Sequence, residues 1–162
     1  MAHSTVLKNF RDGTLVVADG AALTHTVLYE EGNFSASGLV SGQKEVAAYM
    51  SRGDLASLRH TNQTFPSGSF TIHLADVSDA TDSTLIDALT KQGSWSAATS
   101  TLGASAEVYA VSLALTIEGT NHGDSADHSI TMDDCHCSVD VAEGDPSSVS
   151  VSFTCYGTVT LT

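Results

Sequence analysis

Residues 133–140 read "DDCHCSVD", which places two acids, two thiols and an imidazole within five consecutive positions. A third thiol, Cys155, follows downstream. Three chemistries suit such a set. A zinc site needs about four ligands converging on one point. A disulfide needs two thiols whose backbones come close enough to be bridged. Buried free thiols act simply as small hydrophobes.

Which side chains share a face decides among them. In a strand, side chains alternate between faces. Cys135, Cys137, Val139 and Val141 then share one face, and His136, Ser138 and Asp140 share the other. Downstream, Val149, Val151, Phe153 and Cys155 are in phase. If the intervening turn centres near Asp145, Cys135 lies opposite Cys155. The thiols therefore point inward with apolar neighbours, and His136 points away from them. Cys135, Cys137 and Cys155 are expected to be core thiols, with no metal and no cofactor. A Cys135–Cys155 bond is geometrically open, although a reducing compartment opposes it. Three cysteines, an odd number, also argue against a complete intrachain disulfide framework.

Other chemistry-bearing stretches have plainer readings. "RGD" at 52–54 is a turn between two short strands. His122 and His128 share a polar loop with Asp124 and Asp127. That loop could hold a cation weakly, but a solvated loop is the plainer reading and the one expected. No serine–histidine–acid set, phosphate loop or carboxylate dyad shows a local signature, so no enzymatic activity is expected.

The elements that position these residues are mainly strands. The chain has 162 residues, enough for one domain with a sizeable core. Ser and Thr supply about a quarter of it, and threonine's branched Cβ favours pleated structure. Residues 14–18 and 23–29 flank an Asp19-Gly20 turn and read as a hairpin. Residues 34–39, 45–51, 55–61 and 70–74 read as further strands. Residues 107–119 form a strand with Tyr109, Val111, Leu113, Leu115 and Ile117 on one face, and small residues on the other. Residues 130–141 and 149–161 complete a C-terminal hairpin. The segment at about 82–92 is the helix, capped by Thr81 or Asp82, with Leu85, Ile86 and Leu89 as its apolar stripe and Gly93 after its end. The expected class is α+β, mainly β: an antiparallel sandwich or barrel with one flanking helix.

Charge narrows the partners. The formal net charge is −13, from 19 acids and 6 basic residues, and no Lys or Arg follows Lys91. A chain built this way is not a phosphate binder, because nucleic-acid affinity rests on clustered Lys and Arg. No apolar run approaches the roughly 20 residues of a membrane helix. The N-terminal "MAHSTVLKNFRDG" lacks an apolar signal core, so a cytoplasmic site of synthesis is expected.

The run "TVLKNFRDGTLVVADG" resembles the opening of major tail tube proteins of tailed bacteriophages and of phage-tail-like gene transfer agents. The likeness continues through "FPSGSFTIHLADVSDAT", "LTIEGTNHGDSADHSITMDDCHCSVDVAEGDP" and "VSVSFTCYGTV", covering most of the chain. The resemblance implies a β-sandwich with a flanking helix, six copies per ring, and rings stacked into a hollow tail tube that conducts the genome. It implies an extended inter-ring loop or hairpin at about 38–66. It implies partners as well: other copies of the chain, a tape-measure protein, a tail terminator, baseplate or distal tail proteins, and a sheath if the tail contracts. Genomic DNA would pass through the lumen without specific binding, and the protein would reside in the virion tail after assembly in the host cytoplasm. Glu118 and Asp140, each pointing away from the apolar face of its strand, are the lumen-facing candidates. The basic-free half, 92–162, with what read as the three longest strands, is the expected source of the wall. Two other classes compete. A carbohydrate- or protein-binding β-sandwich module would show an exposed aromatic cluster, and Trp95 is the sole tryptophan. A small enzyme would need a concave site with converging polar groups.

Overall fold

The computed structural model describes residues 13–27 and 33–162. The first eight residues of the quoted opening run, 5–12, and the expected 28–32 continuation of the second strand and turn lie outside the described residues.

Ten strands are described: β1 Thr14–Ala18, β2 Thr24–Val27, β3 Ser35–Ser37, β4 Lys44–Ser51, β5 Asp54–Gln63, β6 Ser67–His73, β7 Val111–Ile117, β8 His128–Ala142, β9 Ser148–Cys155 and β10 Val159–Leu161. One helix, α1, spans Leu85–Thr90. The main sheet runs β2-β1-β7-β8-β9-β6-β3, with β10 paired to β8, and β4 and β5 form a separate ribbon. All pairings are antiparallel. The chain is thus α+β and mainly β, with one flanking helix.

Strand β8 is the hub. Its first half pairs with β7 and β10, and its second half pairs with β9. The exchange of partners occurs at Asp133 and Asp134. There the register slips, with Leu113 opposite Met132 but Val111 opposite Cys135. This is a β-bulge, one extra residue that bends the strand. Asp134 takes the left-handed conformation with φ 54, which short polar side chains tolerate better than branched ones. The bulge also changes which parity faces inward. Met132 is buried before it, and Cys135 after it.

The inner faces of both half-sheets feed one apolar cluster. Leu15, Val17, Leu113, Leu115 and Met132 come from one half, and Phe70, Val149, Val151 and Phe153 from the other. Phe34 stacks near Phe70 and Phe153 with ring centroids 6.3 and 5.8 Å apart. Gly68 lies opposite Phe153, and a Cβ there would collide with the Phe153 ring and the Ser35 carbonyl.

The helix is shorter than the sequence pattern implies. Thr84, rather than Thr81 or Asp82, caps it by accepting the Asp87 N–H. Asp79 instead uses its carboxylate to fold 79–82 into a turn, accepting the N–H groups of Thr81 and Asp82. At the other end Lys91 adopts the left-handed cap with φ 58. Gly93 already belongs to the next 3-10 turn, Gly93–Trp95. Leu85 and Leu89 are buried and Ile86 is half-buried. Tyr109 precedes β7 rather than lying within it, and its hydroxyl donates to the Ala88 carbonyl at 2.9 Å.

Two carboxylates fasten loops to this frame. Asp19 accepts the N–H groups of Leu23, Ala21 and Thr99 at 2.8, 2.9 and 3.0 Å. Asp87, fully buried, accepts the Ser78 hydroxyl at 2.7 Å and the Asp79 N–H at 2.9 Å. Burial alone would raise both carboxyls, but these donors outweigh it and hold each below the ordinary value of 3.8. A carboxyl lowered on folding stabilises the fold above its unfolded pKa and loses that contribution as pH falls through the folded value. The melting temperature should therefore be flat between about pH 7 and 5 and fall below about pH 4. Asp87→Asn should cost about 2 kcal/mol at pH 7 and shrink the acid limb, as read by denaturant titration at several pH values.

Candidate functional site

Two surfaces lie outside the apolar core among the described residues. The first is the β4–β5 ribbon, which stands apart from the main sheet. Its turn is Arg52-Gly53, both with positive φ (51 and 92), the pattern of a tight turn matching hairpin twist. The "RGD" stretch is accordingly a hairpin turn. Pairing sets Val46 opposite His60, Ala48 opposite Leu58 and Met50 opposite Leu55, with an irregularity between Tyr49 and Met50. Because side chains alternate, Val46, Ala48, Met50, Leu55 and Leu58 share one face. The four large ones are 56–60% exposed. The opposite face carries Tyr49, Ser57 and Arg59. An isolated two-stranded ribbon is marginal in water, and an exposed apolar stripe of this kind marks an interaction surface. Lys44, Arg52 and Arg59 make up half of the chain's six basic residues. Against Glu45 and Asp54 they give the arm +3 − 2 = +1, which leaves −14 on the rest. At the arm's root, Phe65 and Tyr156 form an exposed aromatic pair with centroids 4.9 Å apart, and the Val159 N–H donates to the Ser41 hydroxyl at 2.5 Å.

The second surface is the outward face of β3, β6, β9 and the second half of β8. Cross-strand rows run Ser37–Ser67–Thr154–His136 and Ser35–Ser69–Ser152–Ser138, and Thr71–Ser150–Asp140 continues the pattern. No Lys or Arg stands on these rows. A shallow groove of about 420 Å³ crosses them, lined by Ser35, Ser37, Ser67, His136, Ser138 and Ser152 among others. Such a face lets another backbone or a moving polymer approach closely. The period-two serines of "SVSVSFT" carried this signal in the sequence, whereas the small residues opposite the apolar face of β7 drew attention first.

The two lumen-facing candidates separate. Asp140 is exposed on the hydroxyl face, opposite Ser150. Glu118 is half-buried and accepts the Thr120 hydroxyl at 2.8 Å and the Asn121 N–H at 3.1 Å, so it serves the local turn. In the same loop Asp127 accepts the N–H groups of Gly119 and Thr120 at 2.9 and 3.0 Å. Those bonds, Thr120 first, lower it to about 2. Asp124 lies 3.7 Å from the His128 ring. Among the described residues no group of three or more His, Cys, Asp or Glu side chains is arranged to hold a metal ion. Nor do the three longest strands all fall in 92–162, since β5 with ten residues is second only to β8 with fifteen.

Cys135 and Cys155 are fully buried and directly opposite each other, and Cys137 is half-buried opposite Phe153. His136 is exposed and lies away from all three. Val141, in phase with the thiols, is 55% exposed although its register partner Val149 is buried. Burial pushes the Cys137 thiol up to about 12.

No known protein family and no curated protein matches the sequence. Solved structures do match the fold. An anti-feeding prophage cap, the tube terminating cap, is 12% identical with TM-score 0.55 and covers 100% of this chain and 94% of its own. A sheath/tube terminator of an extracellular contractile injection system is 10% identical with TM-score 0.57 and covers 99% of each chain. A chain of that system's sheath–tube complex is 8% identical with TM-score 0.51, covering 91% of this chain and 87% of its own. At these identities the likeness is one of fold, and the fold is one used by tube-associated components of phage-tail-like particles.

In an isolated subunit the arm should be the least protected strand pair. Backbone amides of 44–63 are expected to exchange with deuterium about a thousandfold or more faster than those of β7 to β9. Equal protection in a monomer would mean that the arm is packed on its own subunit.

Proposed function

We propose that the chain is a structural subunit of a phage-tail-like particle, that six copies close into a ring, and that rings stack into the hollow tube through which a genome is delivered. The observation that carries this reading is the β4–β5 arm, with an apolar stripe that is exposed among the described residues. Ring closure and stacking are heterologous contacts, repeated around and along an axis. The inter-ring element, expected at about 38–66, contains this arm. Its net charge of +1 against −14 elsewhere favours docking on a neighbouring copy. The tape-measure, terminator and baseplate or distal tail proteins follow as proposed partners, with a sheath if the tail contracts. The core thiols and the Leu85, Ile86 and Leu89 stripe serve packing within the subunit.

A second reading, a terminator that closes the end of a tube, is favoured by the two higher TM-scores. Electron microscopy of purified protein separates the two. Tubes or stacked rings support a tube subunit, isolated rings support a terminator, and uniform monomers at high concentration count against both.

Deleting 41–61, or the milder Met50→Glu with Leu58→Glu, should leave a subunit melting within about 2 °C of the parent but unable to elongate. Normal tubes from either variant would remove the arm from the assembly.

The hydroxyl face with Asp140 is proposed as channel wall. Sixfold repetition of a Lys would multiply phosphate contacts, each changing affinity severalfold and each weakened by salt. Asp140→Lys should preserve tubes yet slow DNA delivery about tenfold or more at low ionic strength, with recovery as salt rises. Unchanged ejection kinetics, in a tube seen to present residue 140 to its lumen, would overturn the wall.

A further inference from the structure

We propose that Cys135 and Cys155 form a built disulfide site, which closes when the subunit meets an oxidising thiol–disulfide couple such as glutathione and its disulfide. The two residues are register partners on adjacent antiparallel strands. The Cys155 N–H donates to the Pro66 carbonyl, on the side away from β8, at 2.8 Å. The adjacent Tyr156 N–H donates to the Asp134 carbonyl on β8 at 3.1 Å. Hydrogen bonding between the strands therefore skips the 135–155 position. At such non-hydrogen-bonded pairs the Cα atoms lie about 4.5 Å apart and side chains approach most closely, within the range a disulfide spans.

Each thiol donates to a backbone carbonyl at the bulge, Cys155 to Asp133 at 3.0 Å and Cys135 to Met132 at 3.4 Å, and Cys155, at the strand's end, is the one placed to react first. Cys137 is two residues along β8, opposite Phe153, and outside this pairing. Cys155 is the last residue of β9, so a local opening that breaks the bonds of Tyr156 and Gly157 to the Asp134 and Asp133 carbonyls gives a disulfide access to it. Its thiolate attacks glutathione disulfide and releases one glutathione thiolate. The Cys135 thiolate then attacks the mixed disulfide at the Cys155 sulfur and expels the second. Two protein thiols lose two electrons, glutathione disulfide gains them, and the two protons end on the released glutathiones. The bond would clamp β8 to β9 beside the bulge at Asp134.

The test uses the full chain, refolded in reduced and in oxidised glutathione. The oxidised form should be about 2 Da lighter, titrate one free thiol in place of three, and melt about 5–10 °C higher, as expected for a closed loop of about 21 residues. Cys137→Ser should still lose the 2 Da, and Cys135→Ala should not. A bond that requires Cys137, a stable glutathione adduct, or three free thiols after oxidative refolding would each overturn the site. Because Cys137→Ser leaves the buried pair intact, the result stands even if Cys135→Ala fails to fold.

Discussion

Strand β8 belongs to both halves of the main sheet, and the hydrogen bonds around Asp133 and Asp134 hold the point where it changes partner. The Asp133 carbonyl accepts from the Cys155 thiol at 3.0 Å and from the Gly157 N–H at 3.2 Å. Its carboxylate accepts from the hydroxyls of Ser112 and Thr158 at 2.9 and 3.0 Å. Its N–H donates to the Thr158 carbonyl at 2.9 Å. A bulge leaves backbone groups without ladder partners, and orphaned buried polar groups are costly. Here β7, β9 and the link into β10 supply the partners, so the corner is fixed from three sides. The two inner faces then meet on one core, which Leu85 and Leu89 of α1 join and Trp95 completes.

A frame fixed so firmly can carry surfaces that contribute nothing to its own stability. The apolar stripe of the β4–β5 arm stays in water in the lone subunit. The hydroxyl rows carry no Lys or Arg, and their only titratable side chains are Asp140 and His136. Both make sense in an assembly, where a partner's surface replaces water over the arm and many copies set the rows side by side. The division of labour is electrostatic too, since the arm holds half of the basic residues and the frame holds most of the acids.

Much of the frame was legible in the sequence because its alternation is strict. "SVSVSFTC" and "CHCSVDV" placed Cys135 opposite Cys155, and the turn centre at Asp145 matches the observed register. "VSLALTI" separated buried from half-buried residues one by one. The bulge was not legible, because "TMDDC" has no glycine or proline to mark it, and the parity change between Met132 and Cys135 emerges only when β7 is laid alongside. The helix start was misplaced because Thr81, Asp82 and Thr84 are all competent caps, and the Asp79 turn consumes the first two. Glu118 was a wall candidate from its facing alone. The turn that engages its carboxylate is made by residues beyond the strand's end. The arm was legible as two strands about a turn, but its apolar face was not. The irregularity beside Met50 sets which residues align, and that is a property of the pairing.

The arm's geometry limits how it can vary. Side chains in a ribbon alternate with a period of two, so one residue inserted into one strand sends every later side chain of that strand to the opposite face unless a bulge absorbs it, as beside Met50. Without a new bulge, an arm that must keep its greasy side toward a neighbour can therefore lengthen only by two residues in each strand at a time. At about 3.3 Å per residue, its reach is quantised in steps of roughly 6.6 Å. From a present span of about 26–33 Å for strands of eight and ten residues, the distance the arm can bridge to any partner would change by such jumps, and intermediate distances would have to come from tilting the arm.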